Sequence, residues 1–202
     1  MRLAQAVLVL ADISGYTSFI TNRETSLLHA EQIITALLEA MIDRTEFPLT
    51  LNKLEGDAAF FWAESGADRG AAMRDVLAQV QALFAAFDAR LAQVAAERAN
   101  CTCEACASIA GLRIKAFVHC GEVAVKQVRQ FEELAGTDVI LVHRLMKNHL
   151  AEREYVLLSE AAARAWPLPV EAGARAHAEP FEGLGELQLT VLAREGLARI
   201  AA

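Results

Sequence analysis

From Val7 to Phe19 the chain reads VLVLADISGYTSF, an apolar run that ends at Asp12 and passes into a turn at Ser14-Gly15. A short run of this kind, bounded by small turn residues, is the pattern of a strand buried in a sheet, and it delivers polar groups to the sheet's end. Asp12 therefore sits where an ionised carboxylate is costly unless something pairs with it. Whatever pairs with Asp12 decides what the domain can do.

Outward from this strand, the pattern alternates between helices and strands. Leu27, Leu28, Ile33, Ile34, Leu37, Leu38 and Met41 recur at helical spacing from Glu24 to about Arg44, and Pro48 stops that helix. The stretch Leu49 to Trp62 reads as a β-hairpin with its tip at Gly56-Asp57. A long helix follows over residues 67–99, on Met73, Val76, Leu77, Val80, Leu83, Phe84, Phe87, Leu91 and Val94. The cysteine segment at about 100–107 is read as a loop, and Leu112 to Val128 as two strands meeting at Gly121-Glu122. A helix after Gly136, a strand at Tyr155–Leu158, a short helix capped by Ser159 and a strand at Leu187–Leu192 complete the reading. With no repeat or linker, residues 1–202 read as a single α+β domain with a ferredoxin-like βαββαβ core and a C-terminal extension.

Asp12 at a strand end and Asp57 at a hairpin tip converge if their strands are neighbours. Two carboxylates so placed suit Mg²⁺, which takes a few protein oxygens and leaves the rest to water and phosphate. A pair of such ions, about 3.5–4 Å apart, activates an attacking hydroxyl and stabilises a leaving phosphate. The plainer alternative is that Asp12 caps the Ser14-Gly15 turn and Asp57 is ordinary hairpin chemistry.

Four segments carry a resemblance. Ala11 to Phe19 (ADISGYTSF) resembles the first signature of class III adenylate and guanylate cyclases, and Lys53-Leu54-Glu55-Gly56-Asp57-Ala58 resembles the second. Val118-His119-Cys120-Gly121-Glu122-Val123 is similar to the strand pair of that family, and Gly136-Thr137 through Arg144-Leu145 to the helix after it. The resemblance implies that Asp12 and Asp57 hold two Mg²⁺ or Mn²⁺ ions, helped by the backbone carbonyl of Ile13. It implies that Ser14, Gly15, Tyr16 and Thr17 offer a helix start to the triphosphate of a purine nucleotide. Lys53 and Glu133 then read the base, with a lean toward adenine, and Arg144 stabilises charge on the reacting phosphate. The implied assembly is a head-to-tail homodimer, and the implied reaction converts ATP to cyclic AMP and pyrophosphate.

Two positions depart from the family. Ile140 stands where an asparagine orients the ribose, and Glu182, in FEGLG, where a lysine neutralises the terminal phosphate. Losing one such contact costs about 3 kcal/mol of transition-state stabilisation. The expectation is therefore weak cyclase activity or, alternatively, a catalytically silent nucleotide-binding or dimeric signalling module. His143 is a polar group that replaces the asparagine or serves only the helix. A haloacid-dehalogenase-type phosphatase, with Asp12 as nucleophile, ranks below both readings because Lys53 and Asp57 share one hairpin close to the first motif.

Cys101, Cys103 and Cys106 lie within six residues, ahead of a strand bearing His119 and Cys120. Thiolates at this spacing can hold structural Zn²⁺, with a fourth ligand from Cys120, His119 or a partner chain. The alternative is a loop of reduced, partly buried cysteines. The formal charge of −7, with no basic stripe, argues against nucleic acid as a partner. The apolar start is short and broken by Asp12, no stretch approaches a membrane span, and the clustered cysteines do not resemble a secreted framework. A cytoplasmic protein is expected.

Overall fold

The run that opens the sequence becomes β1 (Arg2–Ser14), and every residue from Ala6 to Ala11 is buried. Burial on both faces follows from its central position between two antiparallel neighbours, β3 (Ala58–Glu64) and β4 (Arg113–Val128). Its odd-numbered residues Val7, Val9, Ala11 and Ile13 pack into one core, and Ala4, Ala6, Leu8 and Leu10 into another. This period of two divides the molecule into two layers. The computed structural model describes residues 1–16 and 24–200.

On the odd face lie α1 (Glu24–Asp43) and the 29-residue α2 (Arg69–Glu97). Ile33, Ile34, Leu37 and Met41 of the first meet Met73, Val76, Val80, Phe84 and Phe87 of the second over the strands. Asp68 starts α2 by accepting a hydrogen bond from the Ala71 amide at 2.9 Å. On the even face lies α4 (Thr137–Leu145), whose Val139, Val142 and Leu145 pack with Leu8, Leu10 and Phe60.

The sheet runs β2-β3-β1-β4-β6-β8-β7, with β5 paired to β4. Its first half, with β2 (Thr50–Glu55) in hairpin with β3, is the expected βαββαβ core. The second half adds β6 (Tyr155–Ser159) parallel to β4, then β8 (Gly185–Leu192) and β7 (Arg175–Phe181). The short helices α5 (Glu160–Ala165) and α6 (Arg194–Ile200) flank this extension. No helix among the described residues is long and apolar enough to cross a membrane.

Two expectations are corrected. Residues Arg113–Val128 form one unbroken strand, without a turn at Gly121-Glu122. The reversal comes at Arg129, in a left-handed conformation (φ 56°), and leads into β5 (Phe131–Ala135). Gly121 is a glycine for another reason: a Cβ there would lie 2.2 Å from Cγ of Asp138 on α4. That carboxylate accepts from the Glu122 amide (2.7 Å) and meets Nε2 of buried His119 (2.9 Å), whose Nδ1 meets Ser159 Oγ (2.7 Å). The network fastens α4 to the sheet. The second correction is the cysteine segment, where Glu104–Ser108 form a short helix, α3, capped by Cys103.

Candidate functional site

Where β1 ends, Asp12 pairs in register with Ala58 of β3 on one side and Lys115 of β4 on the other. The hairpin tip is pulled against the same place, since the Ile13 amide donates to the Asp57 carbonyl at 3.2 Å. Gly56, at φ +66°, makes the turn that an L side chain resists. Asp12 and Asp57 thus line one cleft of about 510 Å³, together with Ile13, Ser14, Gly15, Tyr16, Lys115, His143, Met146 and Lys147.

The cleft buries two carboxylates close enough to disturb one another. Burial pushes the Asp12 carboxyl up, and Lys115, at 3.3 Å, only partly opposes this. Asp57 is pushed up to about 6, first by burial and then by the charge of Asp12. Ser14 Oγ is buried without a hydrogen-bond partner among the described residues. Two crowded carboxylates and an orphaned hydroxyl are oxygen donors suited to a hard divalent cation.

Gly15 takes φ +99°, and a Cβ on it would lie 2.5 Å from Arg153 Nη2. That guanidinium also donates to the Ser14 carbonyl, at 3.5 Å. Tyr16 donates its hydroxyl to Glu31 of α1 at 3.1 Å. Thr17 lies outside the described residues.

The remaining expected residues gather beside the cleft and do not line it. Lys53 stands 3.2 Å from Glu55 and 3.9 Å from Glu133, so the two expected base-reading residues do meet. Glu55 in turn contacts His143 Nε2 at 3.0 Å, and His143 Nδ1 donates to the Val139 carbonyl. Burial acts to raise the Glu55 carboxyl, but His143 and Lys53 outweigh it and hold the group below its ordinary value. Arg144 pairs with Glu182 at 3.5 Å and borders a separate cavity with Val139, Ile140, His143 and Lys147. The two positions that depart from the cyclase pattern, Ile140 and Glu182, both flank Arg144, and both are exposed.

The cysteines are assembled differently from the expectation. Cys101, Cys103 and Cys106 converge, but Cys120 is buried in the core with its sulfur against Met73 Sδ at 3.9 Å. Its side chain belongs to the odd face of the sheet, inside the layer that α2 covers. His119 is committed to Ser159 and Asp138. The fourth member is His29 of α1, whose Nδ1 lies 3.4 Å from Cys103, 3.5 Å from Cys101 and 3.7 Å from Cys106. Sequence reasoning missed His29 because a lone histidine on a half-buried helix carries no ligand signature. It missed Lys115 too, although a β1–β4 register, once assumed, sets that lysine opposite Asp12.

A family model described as "Protein of unknown function (DUF2652)" matches residues 34–155. The uncharacterized protein Rv2561/Rv2562 of Mycobacterium tuberculosis (strain ATCC 25618 / H37Rv) is 38% identical over 156 residues, spanning 74% of this chain and 68% of the relative. Among solved structures, the guanylyl cyclase Cya2 superposes with a TM-score of 0.72 at 15% identity, covering 95% of this chain and 92% of that one. The adenylyl cyclase CyaB from P. aeruginosa gives 0.69 at 14% identity, with 95% of each chain covered. A class III adenylyl cyclase-like ATP-binding protein from Pseudomonas aeruginosa gives 0.70 at 14% identity, covering 99% of this chain and 41% of that one. The fold is that of the class III nucleotide cyclases.

Proposed function

This chain belongs to the DUF2652 family, and we propose that it is a divalent-metal-dependent purine nucleotide-binding domain on a class III cyclase fold, with weak cyclase activity toward ATP. The observation that carries the reading is the convergence of Asp12 and Asp57 in one cleft, beside the Ser14–Tyr16 turn. Two carboxylates that repel each other there make a poor resting arrangement and a good receptor for divalent cations. Bound Mg²⁺ or Mn²⁺ supplies Lewis-acid activation of the attacking hydroxyl and neutralises the triphosphate. Asp12 and Asp57 would hold the ions, the Ile13 carbonyl would add a ligand, and the Ser14–Tyr16 segment would receive the phosphates.

Lys53, Glu133 and Arg144 do not border the cleft of Asp12 and Asp57 in their own chain. This favours a nucleotide site completed by a second copy, which contributes the base-reading pair and the arginine. The reaction then joins the ribose 3′ oxygen to the α-phosphorus and expels pyrophosphate.

A second reading has its own support. Glu182 occupies the one cation on α4 suited to a reacting phosphate, and Ile140 offers no hydrogen bond to a ribose. These features favour a module that binds nucleotide and signals through its dimer without turnover; the Pseudomonas neighbour is itself an adenylyl cyclase-like ATP-binding protein.

The deciding experiment measures Mn²⁺-dependent ATP and GTP binding by calorimetry and cyclic nucleotide formation by chromatography, with Asp57→Ala as control. Binding that vanishes in the control, with slow cyclic AMP formation, is the expected result. Binding without product selects the silent module. Absence of binding to either nucleotide overturns both.

A further inference from the structure

We propose that His29, Cys101, Cys103 and Cys106 form a structural zinc site that staples α1 to the connection between α2 and β4, independently of any nucleotide. The four ligand atoms lie within 4.8 Å of one another, and no cysteine is in a disulfide. Ordinary hydrogen bonding does not account for the cluster. One ring nitrogen carries either a single proton or a single lone pair, yet three sulfurs surround Nδ1 at 3.4, 3.5 and 3.7 Å. At most one of these contacts is a hydrogen bond.

A tetrahedral ion explains all three at once. With Zn–S near 2.3 Å and Zn–N near 2.05 Å, the nitrogen–sulfur edge of the tetrahedron is about 3.5–3.6 Å. The observed distances straddle that value. Three thiolates and one imidazole form a closed set of the Cys₃His type, soft enough to prefer zinc over the hard ions suited to the carboxylate cleft. The Cys106 amide donates to Cys103 Sγ at 3.4 Å, a bond that a metal thiolate accepts readily.

The staple's position gives it a structural task. Cys103 caps α3, so the metal would order a segment with few apolar residues of its own. Its other anchor, His29, lies two residues before Glu31, which holds the Tyr16 hydroxyl at the edge of the carboxylate cleft. Arg98, at the end of α2, reaches Gln32 at 2.8 Å and braces the same turn of α1. The ion thus fixes where α1 starts relative to the sheet without being part of the chemistry.

The test is metal analysis of the full chain, purified under reducing conditions without chelator, by inductively coupled plasma mass spectrometry. About one zinc ion per chain is expected, falling at least about tenfold in Cys101→Ser and in His29→Ala. Cys120→Ser should retain full zinc, which separates this ligand set from one that includes Cys120. Because a ligand variant can fail to fold, the wild-type chain is also exchanged into Co²⁺. A thiolate-to-cobalt charge-transfer band with intense tetrahedral d–d bands is expected, and zinc should abolish it. Zinc lost in Cys120→Ser but kept in Cys101→Ser overturns the assignment. So does a metal-free chain without the cobalt spectrum, or one with a Cys101–Cys106 disulfide.

Discussion

Asp12 and Asp57 line one cleft, where burial outweighs the ion pair that Lys115 makes with Asp12, whereas Lys53, Glu55, His143 and Glu133 are already linked to one another in a chain of short contacts. The two aspartates pay for burial and for their mutual repulsion, a cost that an incoming cation relieves. The neighbouring region is paired before any ligand arrives, so a ligand there must break ion pairs as fast as it makes new ones. Affinity should therefore be concentrated at the metal end, and discrimination between bases should be shallow.

The largest effect should come from removing one carboxylate. Asp12→Asn keeps the shape of the strand end and deletes a metal ligand, so Mn²⁺-dependent nucleotide affinity should fall about a hundredfold or more. Calorimetry with and without Mn²⁺ measures it. If Asp12→Asn binds as the parent does, the crowded carboxylates are not the source of affinity and the contrast between the two regions collapses.

Acidity supplies the next test. Asp57 is raised from 3.8 to about 6, so below pH 6 a proton competes with the metal. Mn²⁺ affinity should then drop up to about tenfold per unit as the pH falls from about 6 to 5, and level off above 6. The metal-free protein should show the opposite trend. The folded state holds this proton more tightly than the unfolded chain does, so Asp57 favours folding at low pH. That contribution is lost between about pH 4 and pH 6. For a half-exposed group the gross linkage of about 3 kcal/mol shrinks to about 1 kcal/mol. Asp57→Asn should recover about that much at pH 7 by urea titration of the metal-free protein.

These two tests use residues whose importance was readable in the chain itself. A carboxylate ending an apolar run and another beside a glycine at a hairpin tip are local patterns, and the structure joins them because β1 and β3 pair. Lys115 was not readable, since its role depends on strand register, which no single strand encodes. Gly121 misled for a related reason: glycine marks turns in sequence, but here it admits the carboxylate of a packed helix. β5 and β7 escaped notice because they are short edge strands rich in charged and exposed residues, without the apolar alternation of a half-buried strand. His29 was invisible because its partners lie more than 70 positions away, |i−j| = 72 for Cys101.

A gain of function tests the paired side of the cleft's surroundings. Glu182 is 91% exposed and holds Arg144 at 3.5 Å, a pair that water screens and that adds little stability. Glu182→Lys should leave the melting temperature nearly unchanged and free Arg144 for phosphate. Nucleotide affinity, or turnover where present, should rise about fivefold. A loss instead of a gain would mean that Glu182 holds Arg144 in place and does not mask it.

The smallest effect concerns base choice. Lys53 and Glu133 stand 3.9 Å apart, both partly exposed, with Glu55 nearer to the lysine at 3.2 Å. Glu133 can accept from the exocyclic amine of adenine only by giving up part of its attraction to Lys53, and Glu55 remains to hold the lysine. Glu133→Gln keeps an acceptor but adds a donor, which suits the guanine carbonyl. The ATP-to-GTP affinity ratio should therefore fall only about two- to threefold, within the range of exposed polar contacts. Competition binding with the two nucleotides reads this ratio directly. A change of a hundredfold would show that the pair is a desolvated specificity pocket, and that the pairing of this region ends once a second copy covers it.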